Sequence, residues 1–416
     1  MFFFYQTIIF LIIIFSPLII FLRIFKNKEH KKRFIEKFSV PTKKRVAGKL
    51  IWFHGASVGE ILSIIPIIRY YERNKSINQI LITSSTLSSS KVLKKFRFKK
   101  TVHQFYPIDY AYFTFKFLNY WKPNLAIFIE SEIWPCMFKK LDNKKIPLIL
   151  LNARLTKKTF QRWMKIKNFA KLVIGNITVA YPQNLETKSY LKKINTTKIN
   201  YIGNLKFIKN YENDDNIINK NLKSQLKSKK IWVASSTHAD EEIFCANTHV
   251  KLKKKYKNLM TIIIPRHVHR VNEIIPEIEK MNLKVTLHSS KTKNLKNTDI
   301  YLVDTFGETK KFHKIGCSVF LGGSIIKRGG QNPLEAARYG ARILHGPNTD
   351  NFKDIYKLLK SLKISKKITN SEDMASSIIF KKNKKITSII NNIGEIIFKK
   401  TIKELDNLIN NEFKKT

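Results

Sequence analysis

Short apolar runs recur along the chain with helical patterns between them. In the first half they cover residues 50–53, 79–84, 125–130, 147–152, 172–174 and 177–180, and in the second half 230–235, 260–265, 283–286, 300–304, 318–323 and 341–344. These runs are continuous rather than alternating, the pattern of strands buried on both faces, as in a parallel sheet covered by helices. Several end in a polar or small residue, where a parallel strand opens onto a loop. The pattern therefore predicts a doubly wound α/β protein of two Rossmann-like domains facing each other across a cleft, with ligands at the carboxyl ends of the strands.

A different pattern opens the chain. Residues 2–22 carry no charged side chain, and Arg23, Lys26, Lys28, Lys31, Lys32 and Arg33 follow at once. About 20 apolar residues cross the hydrocarbon core of a bilayer. With no basic residue before the segment and no small-x-small cleavage site after it, residues 1–22 read as an uncleaved single-pass anchor whose body lies on the cytoplasmic side. A buried apolar helix is the competing reading. Residues 34–208 then form a first domain, 209–230, poor in apolar residues, a linker, and 231–416 a second domain ending in helices.

Composition changes this picture little. The 416 residues carry a formal net charge of +48. The lysines are dispersed and travel with Ile, Asn and Phe, a compositional bias, whereas a nucleic-acid-binding protein gathers basic and aromatic residues on one element. No nucleic-acid partner is expected. A basic surface still attracts anionic head groups and phosphorylated substrates. Cys136, Cys245 and Cys317 lie far apart without metal-ligand spacing, and no metal or cofactor is expected.

The candidate chemistry sits at strand ends. His54-Gly55-Ala56-Ser57-Val58-Gly59-Glu60 is a small-residue turn that delivers Glu60 into the first turn of the following helix, where the dipole favours its ionised form. Glu130-Ser131-Glu132-Ile133-Trp134-Pro135 places two carboxylates at another strand end; they serve acid/base chemistry or the stabilisation of positive charge on a sugar, or else cap the next helix. Asn152-Ala153-Arg154 and Asn204-Leu205-Lys206 each add a cation beside a turn. In the second half Pro265-Arg266-His267 offers a guanidinium suited to phosphate, and Thr305-Phe306-Gly307-Glu308 a tight turn for a base or ribose. Gly329-Gly330-Gln331-Asn332-Pro333-Leu334-Glu335 opens a helix whose N–H groups can receive a phosphate and whose Glu335 can bind ribose hydroxyls.

In ordered motifs over nearly its full length, the chain resembles the 3-deoxy-D-manno-octulosonic acid (Kdo) transferases of lipopolysaccharide synthesis, which are GT-B glycosyltransferases. The resemblance rests on the motifs above together with Gly203-Asn204-Leu205-Lys206-Phe207, Ala234-Ser235-Ser236-Thr237-His238, Gly322-Gly323-Ser324 and Gly346-Pro347. It implies inverting, metal-independent transfer of Kdo from CMP-Kdo to lipid IV-A at the inner membrane. Glu60 would be the general base, and Glu130 and Lys206 would stabilise the transition state. Pro265, Arg266, Phe306, Gly307, Glu308 and Asn332, Pro333, Leu334 and Glu335 would hold CMP. Two departures stand out: Ala239-Asp240 where Gly-Glu is expected after Thr237-His238, and Gln331 where His is common. The first domain would bind the acceptor, with the helix over 61–69 and the lysines after the anchor contacting acyl chains, phosphates and membrane lipids. A related GT-B enzyme using a UDP-sugar on another membrane lipid is the alternative, and a catalytically inert scaffold is disfavoured because every motif keeps its ionisable residues.

Overall fold

The computed structural model describes residues 1–194, 198–209, 218–290 and 294–414. The chain forms two compact units, Met1–Asn210 with Gly394–Thr416, and Tyr211–Ile393. Part of the expected linker, residues 210–217, lies outside the described residues; beyond it, Lys220–Lys227 is a helix.

The first unit is built on six parallel strands: β1 (Leu50–His54), β2 (Gln79–Ser84), β3 (Thr101–Phe105), β4 (Leu125–Ile129), β5 (Leu148–Ala153) and β6 (Val179–Pro182), in the order β3-β2-β1-β4-β5-β6. β1 lies between β2 and β4, with Trp52 opposite both Leu81 and Ala126. Connections leave β1 and β4 in opposite lateral directions, so a crevice opens beyond their carboxyl ends. Beneath it the buried Trp52 ring packs on Phe117 at 4.8 Å and Phe128 at 5.0 Å. The helix Val58–Glu72 returns from β1 and buries Ile61, Ile64, Ile65, Ile67 and Ile68 in the unit. Those isoleucines are core, which overturns their reading as acyl-chain contacts.

The second unit has seven parallel strands: β7 (Lys230–Thr237), β8 (Leu259–Pro265), β9 (Val285–Leu287), β10 (Ile300–Leu302), β11 (Ser318–Leu321), β12 (Arg342–His345) and β13 (Ser365–Lys367), in the order β13-β12-β11-β7-β8-β10-β9. The loops after β8, β10 and β11 emerge at the same end of this sheet.

Four elements differ from the sequence reading. Residues 172–174 close the helix Lys167–Ile174, with Val173 and Ile174 buried and Leu172 exposed; a run of three apolar residues fits either period. β3 and β13 carry polar residues at sheet edges and show no apolar run. The last helix, Lys384–Lys414, passes from the second unit into the first. Gly394 permits this passage, since a Cβ there would stand 2.1 Å from the Phe207 carbonyl oxygen. Beyond it Asp406 accepts hydrogen bonds from Tyr70 and Tyr71, and Glu404 from Tyr181. The terminal segment therefore belongs with the first unit.

The helix Phe2–Phe25 is long and apolar enough to cross a membrane. Its first turns lie on the first unit: Tyr5 donates to Asp109 at 2.8 Å, Gln6 to Cys136 Sγ at 2.8 Å, and Phe10 packs on Tyr110. The buried Asp109 also caps the helix Pro135–Asn143, accepting from the Cys136 and Met137 N–H groups at 2.9 and 2.8 Å. Phe3, Phe4, Leu11, Phe15, Leu18 and Phe21 point outward.

Candidate active site

β1 ends at His54, and the chain turns through Gly55 and Ala56 to Ser57, the N-cap of Val58–Glu72. The Ser57 hydroxyl accepts from the Glu60 N–H, while the Glu60 carboxylate accepts from Ala56 N–H at 2.7 Å and from the Ser57 hydroxyl at 2.8 Å. This reciprocal cap fixes the carboxylate at the mouth of the turn. Gly55 allows the close return, since a Cβ there would lie 3.2 Å from Glu60 Cβ.

The helix start does not hold Glu60 at an ordinary carboxylate value. Burial, and then the charges of Glu132 and Glu130, push it up to about 7 against the hydrogen bonds of Ser57 and Ala56. The sequence reading expected the dipole to keep this pKa low; desolvation and two like charges outweigh it.

Those two carboxylates arrive from the neighbouring strand. Glu130 follows β4 in the left-handed region, with φ of 56°, and pairs with Lys206 Nζ at 2.7 Å. Glu132 receives His54 Nε2 at 3.1 Å and the Trp134 indole N–H at 2.9 Å. It therefore does not cap Pro135–Asn143, a task Asp109 performs. His54 is fully buried, stacked on Tyr106 at 3.9 Å, and burial lowers its pKa, so the ring is neutral. A neutral imidazole facing a carboxylate carries its proton on Nε2 and leaves Nδ1 to accept from the Thr83 hydroxyl, 2.9 Å away.

Asn152 joins the set together. Buried at the end of β5 with φ of 55°, it donates to Glu130 Oε1 at 3.4 Å and accepts from the Leu205 N–H at 3.0 Å. One amide thus holds the carboxylate and the segment carrying its lysine partner. In the sequence this motif draws attention to Arg154, whose backbone N–H does bond Glu130 O, rather than to the amide two residues earlier. His54, Asn152 and Asp109 are the polar residues to which the sequence assigns no task. Asn152 had one signal, an Asn at a strand exit, a residue that tolerates left-handed backbone.

In the second unit, Pro265 closes β8 with Arg266 exposed, its N–H bonded to Thr237 O. After β10, Phe306 is 81% exposed and Gly307 has φ of 89°. Glu308 pairs with Lys311 at 2.8 Å. After β11, Asn332 Oδ1 accepts from the Leu334 N–H, and Glu335 lies 3.7 Å from the buried His313. Pro333 and Leu334 are buried. All these residues lie beyond the same edge of one sheet.

The loop after β11 is shaped by a buried side chain. Glu241, fully buried, accepts from the backbone N–H groups of His238, Gly323, Ser324 and Ile325 at 2.7 to 3.1 Å. Asp240, just before it, has φ of 72°, a conformation favouring glycine. The departure noted at Ala239-Asp240 thus shifts by one residue: the carboxylate is present as Glu241, and Asp240 takes the glycine-like position. Among the described residues no three His, Cys, Asp or Glu side chains gather as a metal site.

Residues 31–209 match the family of 3-Deoxy-D-manno-octulosonic-acid transferase (kdotransferase). The 3-deoxy-D-manno-octulosonic acid transferase of Rickettsia felis is 35% identical over 345 residues, 82% of this chain and 73% of that protein. That of Rickettsia bellii is 33% identical over 376 residues, 90% and 89% of the two chains. A putative UDP-N-acetylglucosamine 2-epimerase from Listeria monocytogenes, 11% identical, shares the fold with a TM-score of 0.57 over 89% of this chain and 98% of its own. With its two parallel α/β units of GT-B class and relatives matching along most of both lengths, the chain belongs to the 3-deoxy-D-manno-octulosonic acid transferase family of glycosyltransferases.

Proposed function

We propose that this protein transfers Kdo from CMP-Kdo to lipid IV-A, with inversion, at the inner face of the inner membrane. The observation that carries the reading is the Glu60 carboxylate, fixed at the β1 exit with a pKa near neutrality and flanked by the Glu130–Lys206 pair. A general base works best when its pKa lies near the working pH. Glu60 removes the proton of the acceptor hydroxyl as its oxygen bonds the anomeric carbon. The bond from that carbon to the phosphate oxygen breaks, and CMP leaves with the electron pair. The sugar passes through an oxocarbenium-like state that Glu130 stabilises at short range. Lys206 holds Glu130 in place and adds positive charge toward the departing phosphate.

On the same reading, Arg266 and the turn Phe306-Gly307-Glu308 hold the nucleotide, with Phe306 offering a stacking face and Glu308 an acceptor for ribose. Asn332, Pro333, Leu334 and Glu335 complete that set. The helix Phe2–Phe25 attaches the enzyme to lipid through its outward face, and the cations after it keep the catalytic units on the cytoplasmic side. If the helix crosses, Tyr5 leaves Asp109; if it lies in the interface, the contact stays. Cysteine labelling at Phe3 from outside spheroplasts separates the two.

The test is CMP release and lipid product mass with CMP-Kdo and lipid IV-A in detergent, for the wild type and Glu60→Ala. Product heavier by one or more Kdo units, lost in the variant, is expected. No product from folded wild type would overturn the substrate assignment and favour a UDP-sugar donor. Product surviving Glu60→Ala would keep the reaction and overturn the base.

A further inference from the structure

A pocket of about 230 Å³ lies in the first unit, away from the carboxylates above, between Arg33, the loop before β1, the helix Leu87–Leu93 and the start of β3. Its walls are mixed. Phe96, Phe98 and Val102 give apolar surface, and Arg33, Lys43 and Lys94 give cations. Arg69 stacks over the Phe96 ring at 5.5 Å and adds a fourth charge beside it.

The carboxylate nearest in sequence to this group is already used. Glu36 is fully buried and accepts from Arg33 Nε at 2.8 Å, Arg33 Nη2 at 3.0 Å, the Phe105 N–H at 2.7 Å and the Thr42 hydroxyl. Among the described residues no carboxylate lies within ion-pair distance of Lys43 or Lys94, whereas Lys37, Lys206, Lys253, Lys311 and Lys366 all have one. The excess charge is felt by His103 on the pocket wall. Burial first, and then Arg33, Lys43 and Lys94, lower its pKa to about 3, so it stays neutral, accepts from Arg33 Nη2 at 3.0 Å and bonds the Ser84 hydroxyl at 2.9 Å. The histidine thus adds no charge and fixes the guanidinium.

Position supplies the remaining argument. Arg33 follows the apolar helix Phe2–Phe25 after only residues 26–32, which themselves contain Lys26, Lys28, Lys31 and Lys32. The pocket therefore lies a short tether along the chain from the lipid-seeking helix. Two lysines without counter-ions, Lys43 and Lys94, beside the Glu36-paired Arg33 and above apolar walls match a phosphate carried on an apolar body.

We propose that Lys43 and Lys94, beside Arg33, form a binding site for the phosphate monoester of a lipid, separate from the catalytic carboxylates. The phosphate belongs either to the lipid acceptor or to an anionic lipid of the bilayer. The first source rests on the reading under Proposed function; the second does not.

The test uses the full chain and three variants: Lys43→Ala/Lys94→Ala, Lys43→Arg/Lys94→Arg, and Lys157→Ala/Lys158→Ala as an equal change of charge elsewhere on the same unit. The chain holds 78 Lys and Arg, so loss of two alters overall charge little. In one arm, KM and kcat are measured with bisphosphorylated acceptor and with acceptor stripped of phosphate. In the other, co-sedimentation is compared on phosphatidylcholine vesicles with and without phosphatidic acid. Expected for the alanine pair is a KM about tenfold higher with kcat unchanged, seen only with phosphorylated acceptor, the size of one lost charge-assisted contact. The arginine pair and the Lys157/Lys158 control should behave as wild type. If KM holds but the alanine pair alone loses the preference for phosphatidic acid, the site stands and bilayer lipid fills it. If neither arm separates the alanine pair from the control, the proposal falls. Absence of transfer by wild type would break the catalytic reading and leave the vesicle arm to decide.

Discussion

The two units use buried carboxylates in opposite ways. In the second, Glu241 receives four backbone N–H groups and braces the loop after β11. In the first, Glu60 receives one backbone N–H at short range and one hydroxyl, and it faces Glu132 and Glu130. Donors stabilise the charged form; burial and like charge oppose it. The residue type is the same, and the balance of donors against like charges decides whether it braces the chain or holds a proton near neutral pH.

The sharpest way to break this contrast is at Glu60. Glu60→Gln keeps the shape and an acceptor for the cap but cannot take a proton, so kcat should fall by about 10²- to 10⁴-fold in a CMP-release assay. Stability should move the other way. Because the folded pKa is raised, Glu60 favours the folded state most when protonated, and that contribution is lost as pH climbs from the ordinary carboxylate range through about 7. Glu60→Gln should therefore gain thermal stability over wild type at pH 8 and lose that gain by pH 5. A variant that is inactive and also less stable at pH 8 would show that Glu60 is a structural cap.

Glu241→Ala should do the reverse. Four N–H groups would be left buried without an acceptor, a loss of about 3 kcal/mol or more from the second unit in urea unfolding. Any loss of activity should then appear mainly in KM for the nucleotide donor. A fall in kcat with stability unchanged would make Glu241 reactive and erase the difference between the units.

What the sequence disclosed follows the same division. Glu60, Glu130 and Lys206 stood out because a charge beside a turn at the end of an apolar run is visible locally, and most strands stood out because burial on both faces leaves continuous apolar letters. Asn152 acts through Leu205, more than fifty residues away, and His54 through Glu132, so neither role is written in local spacing. The strand β3 hid because Thr101, His103 and Gln104 interrupt its apolar pattern. Asp240 misled because its backbone angle, rather than its side chain, is what the turn requires.

Asn152 tests whether the amide clasp contributes to the reaction. Asn152→Ala removes the bond to Glu130 and leaves the Leu205 N–H without its acceptor. We expect kcat to fall about tenfold, from loss of one positioning bond in the transition state, with KM for the donor little changed. Asn152→Asp offers the Leu205 N–H its acceptor but sets a like charge against Glu130, and should be slower than Asn152→Ala. Equal rates for all three proteins would confine Asn152 to the fold.

The smallest effect is the most specific. Glu132 is held by His54 and Trp134 rather than by the helix Pro135–Asn143, leaving its charge to act on Glu60. Glu132→Gln keeps both bonds in reach and removes that charge. Since Glu60 must be ionised to work, kcat/KM rises with pH through a value near 7 and then levels. Without the Glu132 charge the Glu60 pKa drops, so this limb should move to lower pH while the plateau changes by only a few-fold. A limb that stays in place would mean that burial alone sets the pKa, and the crowding of carboxylates that separates the first unit from the second would have no part in the chemistry.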